Sequence, residues 1–129
     1  MPAAPPQMHE EGAIVGQLGP GLTAVVTIAT YNEAENLPLL LDRILSLDLP
    51  LGVIVVDDDS PDGTGDLADR YAANHPGRVL VIHRQAKLGY ASAVRLGLAY
   101  GYRLGIPVLL SMDADHSHDP ATIPSLLSA

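Results

Sequence analysis

The chain contains no cysteine. It therefore has no disulfide framework, no thiolate zinc site and no thiol nucleophile. It also lacks tryptophan and phenylalanine, so aliphatic residues and alanine must fill its core. Basic residues are few: 7 Lys and Arg stand against 15 Asp and Glu, a formal net charge of −8. This charge argues against a nucleic-acid partner, and a phosphate ligand would need a local cation or a metal ion.

Long hydrophobic runs are absent too, since none approaches the roughly 18 residues of a membrane span. The N-terminal segment, with Glu10 and Glu11, lacks a signal-peptide pattern. We expect a cytoplasmic protein without a transmembrane span, in which peripheral contact with the cytoplasmic face of a membrane stays open. The 129 residues, 47% of them hydrophobic, fit one globular domain. Residues 1–20, rich in Pro and Gly, predict a flexible tail before a domain at 21–129.

Apolar segments along the chain predict the order β-α-β-α-β-α-β-α. The strands are expected at residues 22–29, 53–56, 79–82 and 107–112. Asn36 and Thr64 are the expected caps of the first two helices. Alternating strands and helices predict an α/β fold, a Rossmann-like parallel sheet sandwiched by helices, with strand order 3-2-1-4. The last strand should lie at a sheet edge, which invites pairing with another chain.

A polar cluster follows each strand, and the carboxyl ends of parallel strands share one edge of a sheet, where ligands bind. Asp113 and Asp115 are spaced to share Mg²⁺ or Mn²⁺ with a diphosphate, although an acidic turn that caps the next helix is the alternative. His116 and His118 raise a zinc alternative, which hard oxygen neighbours and the lack of cysteine disfavour. The other clusters could bind a nucleoside or phosphate, or be solvated loops: Thr30, Tyr31, Asn32 and Glu33; Asp57, Asp58 and Asp59; Arg84 and Lys87.

The segments TYNEAENLPLLLDRI, VVDDDSPDGT, KLGYASAV and MDADHSHDPATIP resemble, in this order, family-2 glycosyltransferases of the glycosyltransferase-A fold. DDDSPDGT and MDADxSH resemble in particular the dolichyl- or polyprenyl-phosphate mannose synthases. The resemblance covers about residues 23–127. It implies inverting transfer of a mannosyl group from GDP-mannose to a polyprenyl (dolichyl) phosphate, with Mg²⁺ or Mn²⁺.

By position, the resemblance assigns catalytic roles to Asp113 and Asp115, which would hold the metal and the diphosphate. Ser117 would be a further metal ligand; some relatives carry Gln there, and a hydroxyl is a poorer ligand. The nucleotide-binding residues implied are Thr30, Tyr31, Asn32, Glu33, Asp57, Asp58, Asp59, Lys87 and Gly89. Family members continue past this segment into an acceptor site. We therefore expect a missing C-terminal half, a homo-oligomeric or aggregating chain, and no mannose transfer by this chain alone.

Three alternatives stay open. The first is another family-2 enzyme that uses a UDP-sugar, because a carboxylate accepts hydrogen bonds from uracil as well as from guanine. The second is a nucleotide-sugar-binding module without turnover. The third is a receiver-like signalling domain, which VIVVDDD and LLSMDAD resemble in part. An extra βα unit before the first of these segments, and no later strand to supply Thr and Lys, disfavour the receiver.

Overall fold

The computed structural model describes residues 13–115 and 117–128. Its strands are β1 (Ala13–Gly16), β2 (Ala24–Thr30), β3 (Leu51–Asp58), β4 (Val79–Arg84) and β5 (Val108–Asp113). Its helices are α1 (Leu37–Leu45), α2 (Thr64–Asn74), α3 (Tyr90–Arg103) and α4 (Ile123–Ser128), with a 3-10 turn at Pro120–Thr122 before α4. The alternation of strands and helices predicted from the sequence is confirmed.

The five strands form one sheet in the order β1-β4-β3-β2-β5. The neighbours from β4 to β5 are parallel, which confirms the predicted order 3-2-1-4. β5 lies at one edge, as expected, and Val108 at its start is 36% exposed. The carboxyl ends of β2, β3 and β5 therefore lie side by side, and the loops that follow them meet at this edge.

The prediction of a flexible tail over residues 1–20 is wrong for its last part. Ala13–Gly16 forms β1, which pairs antiparallel with β4. The strand is stable because Ile14 and Val15 point to opposite faces and each packs against a different core cluster. Two β-branched residues are too short a run for a period to be recognised. Residues 1–12 lie outside the described part of the chain.

The core has two layers, one on each face of the sheet. Every residue of β2 and β3 is buried, as expected for central parallel strands covered on both faces. On one face α1 buries Leu37, Leu40, Leu41 and Ile44. On the other face α3 packs through small residues that include Ala93, Gly97 and Gly101.

The helix starts differ in detail from the predictions. Asn36 is the N-cap of α1, as predicted, but its side-chain amide donates to Glu33 Oε1 (3.1 Å) and makes no capping bond. Thr64 is the first residue of α2, and Gly63, at φ 89°, holds the N-cap position instead. The Thr64 hydroxyl does not cap because it bonds to Glu33 and Asp62.

None of the helices within residues 13–115 and 117–128 has the length and apolar character needed to cross a membrane.

Gly97 sets the distance between α3 and the sheet. A Cβ atom on Gly97 would lie 2.3 Å from Cγ2 and 2.8 Å from Oγ1 of Thr27 in β2. We therefore expect Gly97→Ala to lower the free energy of unfolding by about 1–3 kcal/mol. The change would do so although alanine favours a helix interior by about 1 kcal/mol over glycine. Chemical denaturation with a circular-dichroism readout measures the difference.

The control for Gly97→Ala is the double variant with Thr27→Ala. Thr27 Oγ1 is buried and has no hydrogen-bond partner among the described residues, so its removal leaves no donor or acceptor unpaired. The double variant should recover most of the lost stability because both clashing atoms are gone. A Gly97→Ala single variant as stable as the parent would show that α3 does not approach Thr27 this closely.

Candidate functional site

A cavity of about 380 Å³ lies at the carboxyl edge of the sheet, among the end of β3, the loops after β2, β4 and β5, and the start of α3. Its lining contains eight of the residues that the sequence singled out: Thr30, Tyr31, Glu33, Asp58, Lys87, Gly89, Asp113 and Asp115. The remaining lining residues are Ala29, Tyr90, Ala93 and Ala114. The structure thus brings together residues that are up to 86 positions apart in the sequence (115 − 29 = 86).

Asp58 anchors one wall of the cavity. Its carboxylate accepts two hydrogen bonds from the Arg84 guanidinium, from Nε at 2.6 Å and Nη2 at 2.9 Å. It also accepts from the backbone N–H groups of Leu88 (3.0 Å) and Gly89 (3.3 Å). Asp58 is 4% exposed and Arg84 2% exposed. The buried pair therefore fixes the loop that leads into α3.

Neither interpretation of Arg84 that the sequence left open, a phosphate-binding cation or a residue of a solvated loop, agrees with the structure. Arg84 is the last residue of β4, directly opposite Asp58 in the parallel register. Its other hydrogen bonds go to Ser92 Oγ (2.7 Å) and to the carbonyl of Gly89 (3.0 Å). Four of the five N–H groups of this buried guanidinium are bonded within the protein, and Arg84 does not line the cavity.

Lys87 is the only basic residue among the described residues that line the cavity. Its Nζ lies 4.4 Å from the centroid of the Tyr31 ring, a cation–π contact. The contact joins the loop after β4 to the loop after β2 across the cavity. Lys87 is thus the residue in this wall that could meet the negative charge of a phosphate.

Three predicted nucleotide-binding residues, Asn32, Asp57 and Asp59, are not part of the cavity lining. The Asp57 carboxylate is 2% exposed and accepts hydrogen bonds from the hydroxyls of Thr30 and Ser60, each at 2.6 Å. Asn32 and Asp59 adopt left-handed backbone conformations, with φ of 56° and 54°. Asn and Asp tolerate that region better than most residues, so the backbone conformation of the loop favours these two residue types.

Asp113 and Asp115 lie at the opposite wall, at the end of β5. Asp113 accepts a hydrogen bond from the Tyr90 hydroxyl at Oδ1 and one from Ser117 Oγ (3.1 Å) at Oδ2. Asp115 accepts from the Ser117 N–H at 3.0 Å. Hydrogen bonds from Ser117 hold the pKa of the Asp115 carboxyl below its usual value. Ser117 lies outside the cavity lining but contacts both carboxylates.

The donor set fits a magnesium or manganese ion shared with a ligand. Within the described part of the chain, no group of three or more His, Cys, Asp or Glu residues could hold a metal. Two carboxylates and the Ser117 hydroxyl are hard oxygen donors, and Mg²⁺ is commonly held by one or two carboxylates together with substrate phosphates. His118 Nδ1 accepts the Asp113 N–H at 3.2 Å, and His116 lies outside the described residues.

Tyr90 is a cavity residue that the sequence analysis missed. Its hydrogen bond to Asp113, together with burial and the charges of Asp113 and Asp115, raises the pKa of Tyr90 to about 12. The phenol therefore stays protonated at neutral pH and donates to Asp113. A single aromatic residue at a helix start gives no signal in the sequence, because its partner lies 23 positions away.

Comparison with known proteins gives consistent matches. The profile of the family Glycosyl transferase family 2 matches residues 25–129. Polyprenol monophosphomannose synthase of Mycolicibacterium smegmatis is 47% identical over 110 residues, which cover 85% of this chain and 42% of that protein. Undecaprenyl-phosphate mannosyltransferase of Micrococcus luteus is 47% identical over 108 residues, 84% of this chain and 44% of that protein. The chain thus spans less than half the length of these relatives.

Two solved structures match as well. A mannosyltransferase from Pyrobaculum calidifontis, in complex with GDP-Man and Mn²⁺, is 32% identical, with a TM-score of 0.56 over 66% of this chain and 26% of that one. The S. aureus protein TarS, residues 1–349, has a TM-score of 0.66 over 83% of this chain and 32% of that one. At 22% identity the second likeness shows the fold alone. Both confirm the predicted α/β fold class.

Proposed function

The chain belongs to Glycosyl transferase family 2, and from this we propose that it forms the donor-binding part of an inverting mannosyltransferase. The donor would be GDP-mannose and the acceptor a polyprenyl phosphate. One observation carries the proposal: the polar residues after β2, the cation Lys87 and the carboxylates Asp113 and Asp115 line one cavity. The names of the related mannosyltransferases support the choice of sugar and acceptor.

In this proposal different residues of the cavity contact different parts of the donor. Thr30, Tyr31 and Glu33, with Gly89 on the facing loop, would contact the nucleoside. Lys87 would meet a phosphate, and Asp113 and Asp115 would hold a divalent ion, with Ser117 as a third oxygen donor. Asp58 would act by holding the backbone of Leu88 and Gly89 in place.

The proposed mannosyl transfer requires the protein to orient the donor and acceptor more than to transfer a proton. A polyprenyl phosphate is an anion at neutral pH, so it can attack the anomeric carbon without a general base. A bound divalent ion would stabilise the charge of the departing diphosphate. The residues of this chain hold the donor in a fixed position relative to the acceptor, which lowers the entropic part of the barrier. The acceptor itself approaches from the membrane surface in this proposal.

A binding titration tests the proposal. We expect GDP-mannose to bind in the presence of Mn²⁺ more tightly than UDP-glucose or UDP-GlcNAc, and to lose affinity when the metal is chelated. Isothermal calorimetry with each nucleotide sugar, with and without Mn²⁺, measures both differences. Preference for a UDP-sugar would instead identify a different donor for the same fold, and the absence of binding by any of the three would refute the donor site.

A further inference from the structure

The loop after β2 is held in place by hydrogen bonds from its backbone N–H groups to side chains of another segment. Three successive N–H groups, those of Asn32, Glu33 and Ala34, donate to three side chains of residues 60–64, the segment that leads from β3 into the first residue of α2. The acceptors are Ser60 Oγ at 2.9 Å, Thr64 Oγ1 at 3.0 Å and Asp62 Oδ2 at 3.1 Å. We name these three side chains, Ser60, Asp62 and Thr64, the loop clamp.

Two residues of the loop clamp, Asp62 and Thr64, are hydrogen-bonded to each other. Asp62 Oδ1 accepts from the Thr64 hydroxyl and, at 3.1 Å, from the Thr64 N–H. Burial opposes ionisation of Asp62, but its hydrogen bonds from Thr64 and Ala34 outweigh that effect and lower the pKa of the carboxyl. Thr64 is fully buried. One half of the clamp is therefore a charged acceptor fixed to the first turn of α2.

The other half is fixed to the strands. Ser60 Oγ donates a hydrogen bond to Asp57 Oδ1 at 2.6 Å. Asp57 Oδ1 also accepts a hydrogen bond from the Thr30 hydroxyl at 2.6 Å. Thr30 and Asp57 are direct neighbours in the register of β2 and β3. Asp57 thus joins a cavity residue to the clamp, and this gives a use for a buried carboxylate that does not line the cavity.

The clamp acts on a segment with an unfavourable conformation. Asn32 has a left-handed backbone with φ 56°, and its neighbours Tyr31 and Glu33 line the cavity. A free loop would sample many conformations, and fixing them when a ligand binds costs conformational entropy. Three hydrogen bonds made before the ligand arrives remove part of that cost.

We propose that Ser60, Asp62 and Thr64 are positioning residues that hold the backbone of residues 32–34 in the conformation that receives the ligand. None of the three lines the cavity, so they act through the loop and not on the ligand. The ligand's identity as a nucleotide rests on the proposed function, but the ordering of the loop does not. The experiment therefore measures the loop and the ligand separately.

The first test is a matched pair at Thr64. Thr64→Val keeps the shape of a buried side chain and removes the hydroxyl, whereas Thr64→Ser keeps the hydroxyl. We expect hydrogen exchange of the Glu33 amide to become roughly tenfold faster in Thr64→Val, as the loss of one hydrogen bond implies. In Thr64→Ser it should stay near the rate of the parent. Exchange is measured by NMR on the full chain without ligand.

The second test is a matched pair of charge changes. Asp62→Asn places an amide where the N–H groups of Ala34 and Thr64 need acceptors. Asp48→Asn makes the same change in an exposed loop before β3, at the amino ends of the parallel strands. Asp62→Asn should speed exchange at Ala34 and weaken GDP binding roughly tenfold. Asp48→Asn should do neither. GDP is the probe, and calorimetry measures its affinity.

The outcomes separate the two proposals. Faster exchange at residues 32–34 with weaker GDP binding, in Asp62→Asn and Thr64→Val alone, supports the clamp. Unchanged exchange in both variants overturns it, as does faster exchange with unchanged affinity. If the parent itself fails to bind GDP, the proposed function is refuted, and the exchange rates alone then decide whether the clamp orders the loop.

Discussion

Replacing Asp58 with alanine should lower the free energy of unfolding by about 3–5 kcal/mol, because it strands the buried Arg84 guanidinium without a counter-charge. Arg84 is 2% exposed and would keep only its bonds to Ser92 and Gly89. Small domains are stable by only about 5–15 kcal/mol, so the expected loss is a large part of the total. Denaturant unfolding of the variant and the parent measures it.

Two controls define the cause. The double variant Asp58→Leu with Arg84→Met should recover much of the stability, because a buried ion pair can be replaced by apolar side chains at little cost. Arg43→Ala breaks an ion pair of similar length, 2.6 Å to Asp119, whose side chains are 50% and 58% exposed. That change should cost about 0–1 kcal/mol. A loss of similar size in Asp58→Ala and Arg43→Ala would contradict the buried-charge argument.

The Asp58–Arg84 pair also shows where sequence reasoning stopped. The apolar run predicts a strand at residues 79–82, but β4 continues through the polar residues His83 and Arg84. Their place follows from the register, which sets Asp57 opposite His83 and Asp58 opposite Arg84. Register is a property of two paired strands, and no single segment of the sequence contains it. Asp58 on β3 therefore pairs with Arg84 on β4 inside the sheet.

The position of the site was predictable for a more general reason. Parallel strands of an α/β sheet end at one edge, so polar residues after successive strands meet there whatever their distance in sequence. That rule alone brought Glu33, Lys87 and Asp113 to one cavity. It says nothing about which side chains turn inward, so it did not separate Asp58, which lines the cavity, from Asp57, which supports the loop clamp.

The three acidic residues at the end of β3, Asp57, Asp58 and Asp59, therefore differ in what they do. Asp57 braces Thr30 and Ser60, Asp58 fixes Arg84 and the next loop, and Asp59 takes a left-handed turn conformation. The resemblance assigned the nucleoside to all three. The structure provides internal partners for the first two, so their first effect when mutated should be on loop order and stability.

The second large effect is expected at Asp115, where the metal would be held. Asp115 is exposed and the described hydrogen bonds to its carboxylate come from Ser117, so Asp115→Asn should fold as the parent does. Because the change would remove a charged ligand of the proposed metal ion, it should weaken GDP-mannose binding in Mn²⁺ on the order of 10- to 100-fold. Binding without metal should change little. Calorimetric titrations of each variant with and without Mn²⁺ give both affinities.

Asp48→Asn supplies the matched control for Asp115→Asn, since it removes the same charge at the opposite edge of the sheet and changes only the long-range field, which salt screens. Its affinity in Mn²⁺ should equal that of the parent. Equal losses of GDP-mannose affinity in the two variants would show that Asp115 acts only through the net charge of the protein. If Asp115→Asn kept the full metal dependence of the parent, Asp115 would not be a metal ligand. Asp115 would then act only through its hydrogen bond with the Ser117 N–H, in the loop after β5.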